Sequence, residues 1–374
     1  MREQKKLKVF LLASPHPQFD EILDFPPEGI EYEKTRTKLK YHGLLSEMKI
    51  KLHNTLNNII PIPRMIKIKT DANLIHSSRG IIIVCSDKPW IVDVECGNVF
   101  TSFNWKAMRN PLAQRIIRKA LLSKNCKKIL PQSEAAKRNL LLALNCKGFE
   151  DKIEILYLAL RSCKKKKVNR KDGKVILSFI GKAFYAKGAN DLLEAYAILA
   201  QKYKNLELRF KGDIPKEFSK TRLPGLKFIK GNFSRDKLFE KMYLNADIFV
   251  LPTHIDNYGL VYLEAMSAGL PLVGTTSFTV PEIIKDGKNG FLIKTDLSWE
   301  NYFPYDKEKE FNRELKKIHP EIVSQLVEKL SILIENKALR ERMGKYNRHL
   351  IEKGKFSIKE RNKKLRRIYD GALK

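Results

Sequence analysis

Short apolar runs alternate with amphipathic stretches along most of the chain. Leu7–Ser14, Met65–Lys69, Gly80–Cys85, Trp90–Glu95 and Lys128–Gln132 are rich in Val, Ile and Leu and are bounded by polar turns. Such runs predict strands of a parallel sheet covered on both faces. Between them, Leu44–Asn57, Ala107–Ser123 and Ser133–Leu144 repeat apolar residues at helical spacing. The stretch LRSCKKKKVNRKDGK, Leu160–Lys174, interrupts this pattern and predicts an exposed basic connection. A second alternation follows. Its strands are expected at Lys174–Ile180, Leu206–Lys211, Leu226–Lys230, Asp247–Pro252, Leu272–Gly274 and Gly290–Ile293. Its helices are expected at Ala189–Lys202, at Arg235–Leu244, and from near Tyr258 to just before Gly269. From Pro320 the pattern is helical, with amphipathic stretches at Ile322–Glu335 and Ile358–Tyr369. A chain of 374 residues exceeds what one core usually serves. The expected class is therefore α/β, with two Rossmann-like domains: residues 1–160, a basic linker 161–173, a second domain 174–355 and a closing helix 356–374.

Composition leaves that picture intact, while charge adds to it. Apolar residues make up 43% and charged residues 30%, a globular balance. Lys plus Arg number 72 against 42 acids, a net charge of +30 that favours anionic partners: phosphorylated substrates, an anionic membrane face or nucleic acid. A Lys-rich solvated surface is the plainer alternative. The excess gathers in the first half. Residues 34–69 hold nine Lys or Arg and one acid, and residues 101–150 hold eleven against two. The helix expected at Leu44–Asn57 has an apolar stripe that either packs on its own sheet or lies on anionic lipid. Arg109, Arg115 and Arg118 extend the basic field. No run approaches the roughly 20 apolar residues of a membrane span, and the run Val9–Ala13 is too short for a signal core. The expected location is cytoplasmic, with peripheral attachment at a membrane face. The five cysteines have no metal-ligand spacing and read as reduced thiols. No RNA-binding motif or aromatic stacking platform accompanies the charge, which argues against a nucleic-acid partner.

Two loops carry the candidate chemistry. In Leu251-Pro-Thr-His-Ile-Asp256-Asn-Tyr258-Gly259-Leu260 a strand passes through a short polar loop into a helix that carries Glu264. The backbone N–H groups of Tyr258, Gly259 and Leu260 stand at a helix start on the carboxyl edge of a parallel sheet, where doubly wound folds bind ligands. Free N–H groups and the positive end of the helix dipole suit a diphosphate, and Gly259 allows close approach. Asp256 is placed to accept from sugar hydroxyls and Glu264 from a ribose. The apolar neighbours Leu263, Ala265, Met266 and Ala268 imply that Glu264 is buried and needs partners. The second loop, Phe179-Ile-Gly181-Lys182-Ala-Phe-Tyr-Ala-Lys187-Gly188, places two cations after a strand, where they can neutralise a leaving diphosphate. Taken alone, two lysines in so basic a chain read equally well as a solvated loop.

In order and spacing these residues resemble the family-4 retaining glycosyltransferases of group 1. That family shows Gly-Arg, a short spacer and Lys-Gly before an apolar helix; here stand Gly181-Lys182, Lys187-Gly188 and Asp191-Leu-Leu-Glu-Ala-Tyr. It shows Glu, seven residues, then Glu-Ala-Met-x-x-Gly-x-Pro; here stand Asp256 and Glu264-Ala-Met-Ser-Ala-Gly269-Leu-Pro271. The likeness covers residues 174–370. It implies a GT-B architecture: two Rossmann-like domains facing across a cleft, with a C-terminal helix crossing back to the first. It implies transfer of a sugar, with retention, from a UDP- or GDP-sugar to a glycan, lipid-linked or phosphorylated acceptor, without a cofactor or dedicated metal. Gly181, Lys182, Lys187, Tyr258, Gly259, Leu260 and Glu264 would hold the donor. Lys182, Lys187, Asp256 and Glu95 would be the catalytic set. The alternatives are an RNA or soluble acceptor, or a sugar-nucleotide binder without catalysis. Lys182 stands where Arg is usual, which keeps the charge but loses the fork, and Asp256 stands where Glu is usual.

The first domain resembles the family more faintly. Glu95 ends the strand Trp90–Glu95 where a His is usual, and it reads either as a sugar-orienting acid or as an ion-paired residue. Ser14-Pro-His16-Pro replaces the usual Gly-Gly loop after the first strand. His16, His76 and His254 read as structural more readily than catalytic. Trp90, Trp105 and Trp299 read as packing, and Glu282 as either a first-turn acid or a cleft residue.

Overall fold

A computed structural model describes residues 6–13, 16–36, 63–84, 87–165, 167–168 and 170–374. The helix expected at Leu44–Asn57 and the loop residues Ser14 and Pro15 lie outside them. The chain divides into two compact units. One comprises Met1–Ala159 with Ile358–Lys374, the other Leu160–Ser357.

In the first unit β1 (Leu7–Ala13), β2 (Ile30–Arg36), β4 (Leu74–Ser77), β6 (Trp90–Val94) and β7 (Cys126–Pro131) form a parallel sheet ordered β2-β1-β4-β6-β7. Two short strands, β3 (Met65–Ile66) and β5 (Ile82–Ile83), pair apart from it. Counting only the large sheet, the order is 2-1-3-4-5, one of the two common doubly wound arrangements. β4 and β6 are buried along their whole length, so their polar residues His76 and Asp93 must be paired. The edge strand β2, IEYEKTR, is polar enough to escape the apolar-run criterion, as is the short helix Pro17–Asp24.

The predicted helix Ala107–Ser123 is two helices, Trp105–Met108 and Pro111–Leu122. Asn110 separates them: its side chain accepts from Leu112 N at 2.9 Å, and Pro111 stands at the first helical position, where its missing N–H costs nothing. The helix Ile358–Ala372 belongs to this unit. Leu365, Ile368, Tyr369 and Ala372 pack on Val9, Leu74, Ile91 and Leu130 of the sheet. A buried polar chain fastens the same helix. Asp93 faces His76 Nε2 at 3.0 Å, His76 Nδ1 lies 2.7 Å from the Tyr369 hydroxyl, and that hydroxyl lies 2.9 Å from Tyr32. Burial pushes the Tyr369 phenol well above its ordinary value, so it remains a neutral hydroxyl. Arg361, also buried, donates to the carbonyls of Glu21 and Phe25 at the end of Pro17–Asp24.

In the second unit β8 (Val175–Gly181), β9 (Leu206–Gly212), β10 (Leu226–Phe228), β11 (Ile248–Leu251), β12 (Leu272–Thr275) and β13 (Gly290–Ile293) form a parallel sheet ordered β10-β9-β8-β11-β12-β13. Numbered within the unit this is 3-2-1-4-5-6, the dinucleotide-fold order, with its switch point between β8 and β11. The helix Ala189–Lys202 follows β8, and Leu260–Ser267 follows β11. The predicted helix Arg235–Leu244 begins as one α-turn, Arg235–Leu238, and continues as a π-helical turn, Phe239–Tyr243.

Candidate functional site

The switch point between β8 and β11 brings two loops together. The β8 loop ends at Gly188, whose φ of 66° and whose position would set an added Cβ 2.0 Å from the Pro252 carbonyl oxygen. Only glycine lets the loops touch there. His254 N and Ile255 N both donate to the Ala186 carbonyl, at 2.9 and 3.1 Å. The β11 loop is fixed from beneath. The carbonyls of Thr253, His254, Ile255, Asp256 and Asn257 accept from the Thr275 hydroxyl, Ser277, Lys187, the Trp299 indole and Thr279 respectively. Five consecutive carbonyls turned into the protein leave this loop little freedom.

Lys187 spans the junction. Its stem lies over Gly181, where a Cβ would stand 2.9 Å from Lys187 Cγ. Its ammonium donates to Asp256 Oδ2 at 2.7 Å and to the Ile255 carbonyl at 2.6 Å. Both side chains keep partial exposure, 18% for Lys187 and 21% for Asp256, so a ligand can reach them. Gly259 follows with φ 81°, in the left-handed region, and caps the helix Leu260–Ser267. A Cβ there would meet the Tyr262 ring at 2.6 Å, and Asp256 Oδ2 is 3.6 Å from that point. Asp256, Lys187 and the helix start therefore share one corner. The first N–H groups of any helix lack intrahelical acceptors, so this corner offers donors beside a cation.

Other candidates are placed differently. Lys182 is exposed and has no hydrogen-bond or ion-pair partner among the described residues, so it stands outside the Lys187–Asp256 pair. Tyr258 is buried. Glu264 is 8% exposed and accepts from the Tyr243 hydroxyl at 2.8 Å, with Arg235 Nε 3.4 Å from its other oxygen. Burial and the adjacent Glu264 push the Tyr243 phenol well above its ordinary value, which keeps it a donor. The sequence reading missed Tyr243 and Arg235. Their signal is weak, although a cation at the start of a helix opposes the dipole and invites an explanation.

In the first unit Glu95 follows β6 and is 5% exposed. Its carboxylate is gripped by Arg79, Nε to Oε1 at 2.8 Å and Nη2 to Oε2 at 3.4 Å. Arg79 itself has φ 49° and accepts at its carbonyl from Arg64. His76 is consumed by the chain to Tyr369, and His254 is buried with Nδ1 against the Leu297 carbonyl at 2.9 Å. Trp90, Trp105 and Trp299 are buried. Glu282 lies in the first turn of the short helix Val280–Ile283. Burial pushes the Cys126 thiol up to about 12 and Cys146 to about 11, so both remain protonated at neutral pH. Among the described residues no group of three or more His, Cys, Asp or Glu is placed to hold a metal ion.

Two doubly wound α/β units, the second with a cation and a helix start at its switch point, define the GT-B class. Residues 161–303, which lie within the second unit, match the model of the glycosyl transferases group 1 family. Sulfoquinovosyl transferase SQD2 of Arabidopsis thaliana is 32% identical over 171 residues, which is 44% of this chain. The chain spans only 28% of the length of that relative. Among solved structures, HepE of Anabaena, with UDP and glucose bound, aligns over 98% of this chain and 99% of its own at 13% identity and a TM-score of 0.60. WaaG, a glycosyltransferase involved in lipopolysaccharide biosynthesis, aligns over 96% of this chain and 99% of its own at 16% identity and a TM-score of 0.57. At such identities the likeness to the solved structures establishes the fold.

Proposed function

We propose that this protein is a retaining glycosyltransferase that moves a sugar from a nucleotide-diphosphate sugar to an acceptor at the cytosolic face of a membrane. The observation that carries the reading is the Lys187–Asp256 corner at the β8/β11 switch point, beside the helix start at Gly259. In this reading Lys187 leaves part of its contact with Asp256 to meet the donor diphosphate. The N–H groups of Gly259 and Leu260 meet the same phosphates, and Asp256 accepts from the sugar hydroxyls. Lys182 adds a second cation from its exposed position. Glu264, oriented by Tyr243 and Arg235, receives the ribose. The two lysines and the helix dipole supply the charge that a leaving diphosphate requires, so transfer is expected to proceed without added metal.

HepE was solved with UDP and glucose, which supports a UDP-sugar as the first donor to try. A lipid-linked or phosphorylated acceptor is supported by the helix Pro111–Leu122. Leu112 and Leu122 are exposed at 61% and 44%, beside a shallow pocket lined by Arg115, Arg118 and Lys119. Apolar side chains flanked by cations suit an anionic bilayer surface. No helix among the described residues is long and apolar enough to cross a membrane.

A thermal-shift panel of UDP-, GDP- and ADP-sugars tests the donor. The true donor is expected to raise the melting point well above the shift given by its bare nucleotide. If no nucleotide sugar shifts the melting point, the reading fails. With the donor known, the anomeric configuration of the product reports retention or inversion.

A further inference from the structure

A second cavity, of about 580 Å³, opens at the amino edge of the second unit's sheet. It lies at the opposite end of β8 from Lys187. β8 has seven residues, so the two places are roughly 20 Å apart at about 3.3 Å per residue. Its walls come from the linker at Lys167 and Arg170, from Lys174 ahead of β8, from Asp247 ahead of β11, and from the helix Lys337–Glu352. On that helix Lys337, Arg340, Glu341, Gly344, Lys345 and Arg348 follow at spacings of three and four, so they form one face.

Seven residues lining this cavity are Lys or Arg and two are acids. Both acids are already engaged. Asp247 accepts from Arg170 and from Ile176 N and has Lys167 Nζ at 3.5 Å, while Glu341 lies 3.8 Å from Lys337. Burial holds Arg340 below its ordinary value, with Arg170 adding repulsion, and burial does the same to Lys167. Arg348 Nε is buried with no hydrogen-bond partner among the described residues. The wall beside it is bare backbone: a Cβ on Gly344 would stand 2.1 Å from the Gly269 carbonyl, and one on Gly269 would stand 3.1 Å from Arg348 Nη2. Crowded like charges in a half-buried pocket raise its energy, and a bound anion relieves them.

We propose that this pocket binds an anion carrying several phosphate groups. Arginine forks and lysine ammonium groups recognise phosphate oxygens, and even with Glu207 3.9 Å from Lys174 and Asp172 3.6 Å from Arg170 the cations left over exceed what one carboxylate neutralises. Among the described residues of the lining, Val168 and Val175 are the only wholly apolar side chains, and none is aromatic. Recognition is therefore of the phosphates themselves and not of a base or ring.

The test is titration of the full chain with inorganic tripolyphosphate by calorimetry, at about 0.15 M salt to screen diffuse attraction, with UDP saturating the donor corner. One site is expected, and Lys187→Ala should leave it intact, which separates this site from the sugar-nucleotide reading. The exposed pair Lys337→Ala with Lys345→Ala should weaken binding about tenfold, since charge-assisted contacts are the strong ones, without shifting the melting point. Lys359→Ala with Lys363→Ala, exposed on Ile358–Ala372, should change nothing. Equal losses in both pairs, binding seen only when UDP is left out, or no binding at all would overturn the proposal. Vesicles containing cardiolipin, whose headgroup carries two phosphates, then give the source of the phosphates. Loss of vesicle binding in the first pair assigns them to lipid headgroups, and its retention assigns them to a soluble ligand.

Discussion

Lys187 holds two acceptors at once, one from a side chain and one from the backbone, and this explains why a lysine rather than a shorter cation stands there. Lys187→Ala is expected to lower transfer by about 10²–10³-fold, the usual cost of removing a group that meets developing charge. Steady-state rates with the donor found in the panel check this, and a loss under tenfold would remove Lys187 from the reaction. A second residue-scale expectation concerns stability. Asp191 is buried and receives His319 Nδ1 at 3.0 Å and His319 N at 2.8 Å. That hydrogen bond, working against burial, raises the His319 pKa above its ordinary 6.5. A raised folded-state value stabilises fully below about pH 6.5 and fades as pH climbs through it. Burial favours protonated Asp191, but the bonds from His319, with His254 Nε2 3.7 Å away, outweigh it and hold the carboxyl below its ordinary value. His319→Gln should therefore cost about 1–3 kcal/mol at pH 5.5 and less at pH 8.5. Urea unfolding at both values measures this, and an equal gap at both would mean that no charged pair exists. Lys187 and Asp256 were legible in the sequence because loop, strand and glycine fixed their place together. Their union in an ion pair was not, because it depends on where a flexible side chain crosses Gly181.

Among the elements, most strands of both sheets were expected from the sequence, while the buried β4 and the edge strand β2 were not. β6, β8 and β11 are covered on both faces, so their sequences are mostly apolar, whereas β4 carries His76 and Ser77 and formed no run. β2 lies at an edge and its residues alternate, so it gave no run to recognise. The π-helical turn at Phe239–Tyr243 shares helical periodicity with its neighbours, yet it is what turns Tyr243 toward Glu264. The helix Ile358–Ala372 was visible as an amphipathic stretch, although the unit it covers was expected only from family resemblance. Its burial predicts a large penalty: Leu365→Ala should destabilise the first unit by about 2–5 kcal/mol. Hydrogen exchange resolved by unit checks it, with loss of protection expected in β1, β4 and β6 and none in β8 or β11.

For the molecule as a whole, the charge of +30 is a prediction about association. Co-sedimentation with phosphatidylglycerol vesicles should fall several-fold between about 0.05 and 0.5 M salt, as the Debye length shrinks to a few ångströms. Leu112→Ser with Leu122→Ser should remove much of the salt-resistant remainder. Binding that ignores both changes would place the membrane contact elsewhere. The two units also differ in how the chain builds them. The second is one continuous stretch, while the first is completed only by Ile358–Ala372, from beyond the other unit. During synthesis β1 and its neighbours emerge early but wait, with the Val9–Leu74–Ile91 surface uncovered, until all of residues 160–357 has been made. Of the two units, the one whose strands are made first is thus the last to finish folding, and a nascent chain arrested before Ile358 would expose a sticky sheet that the folded unit covers.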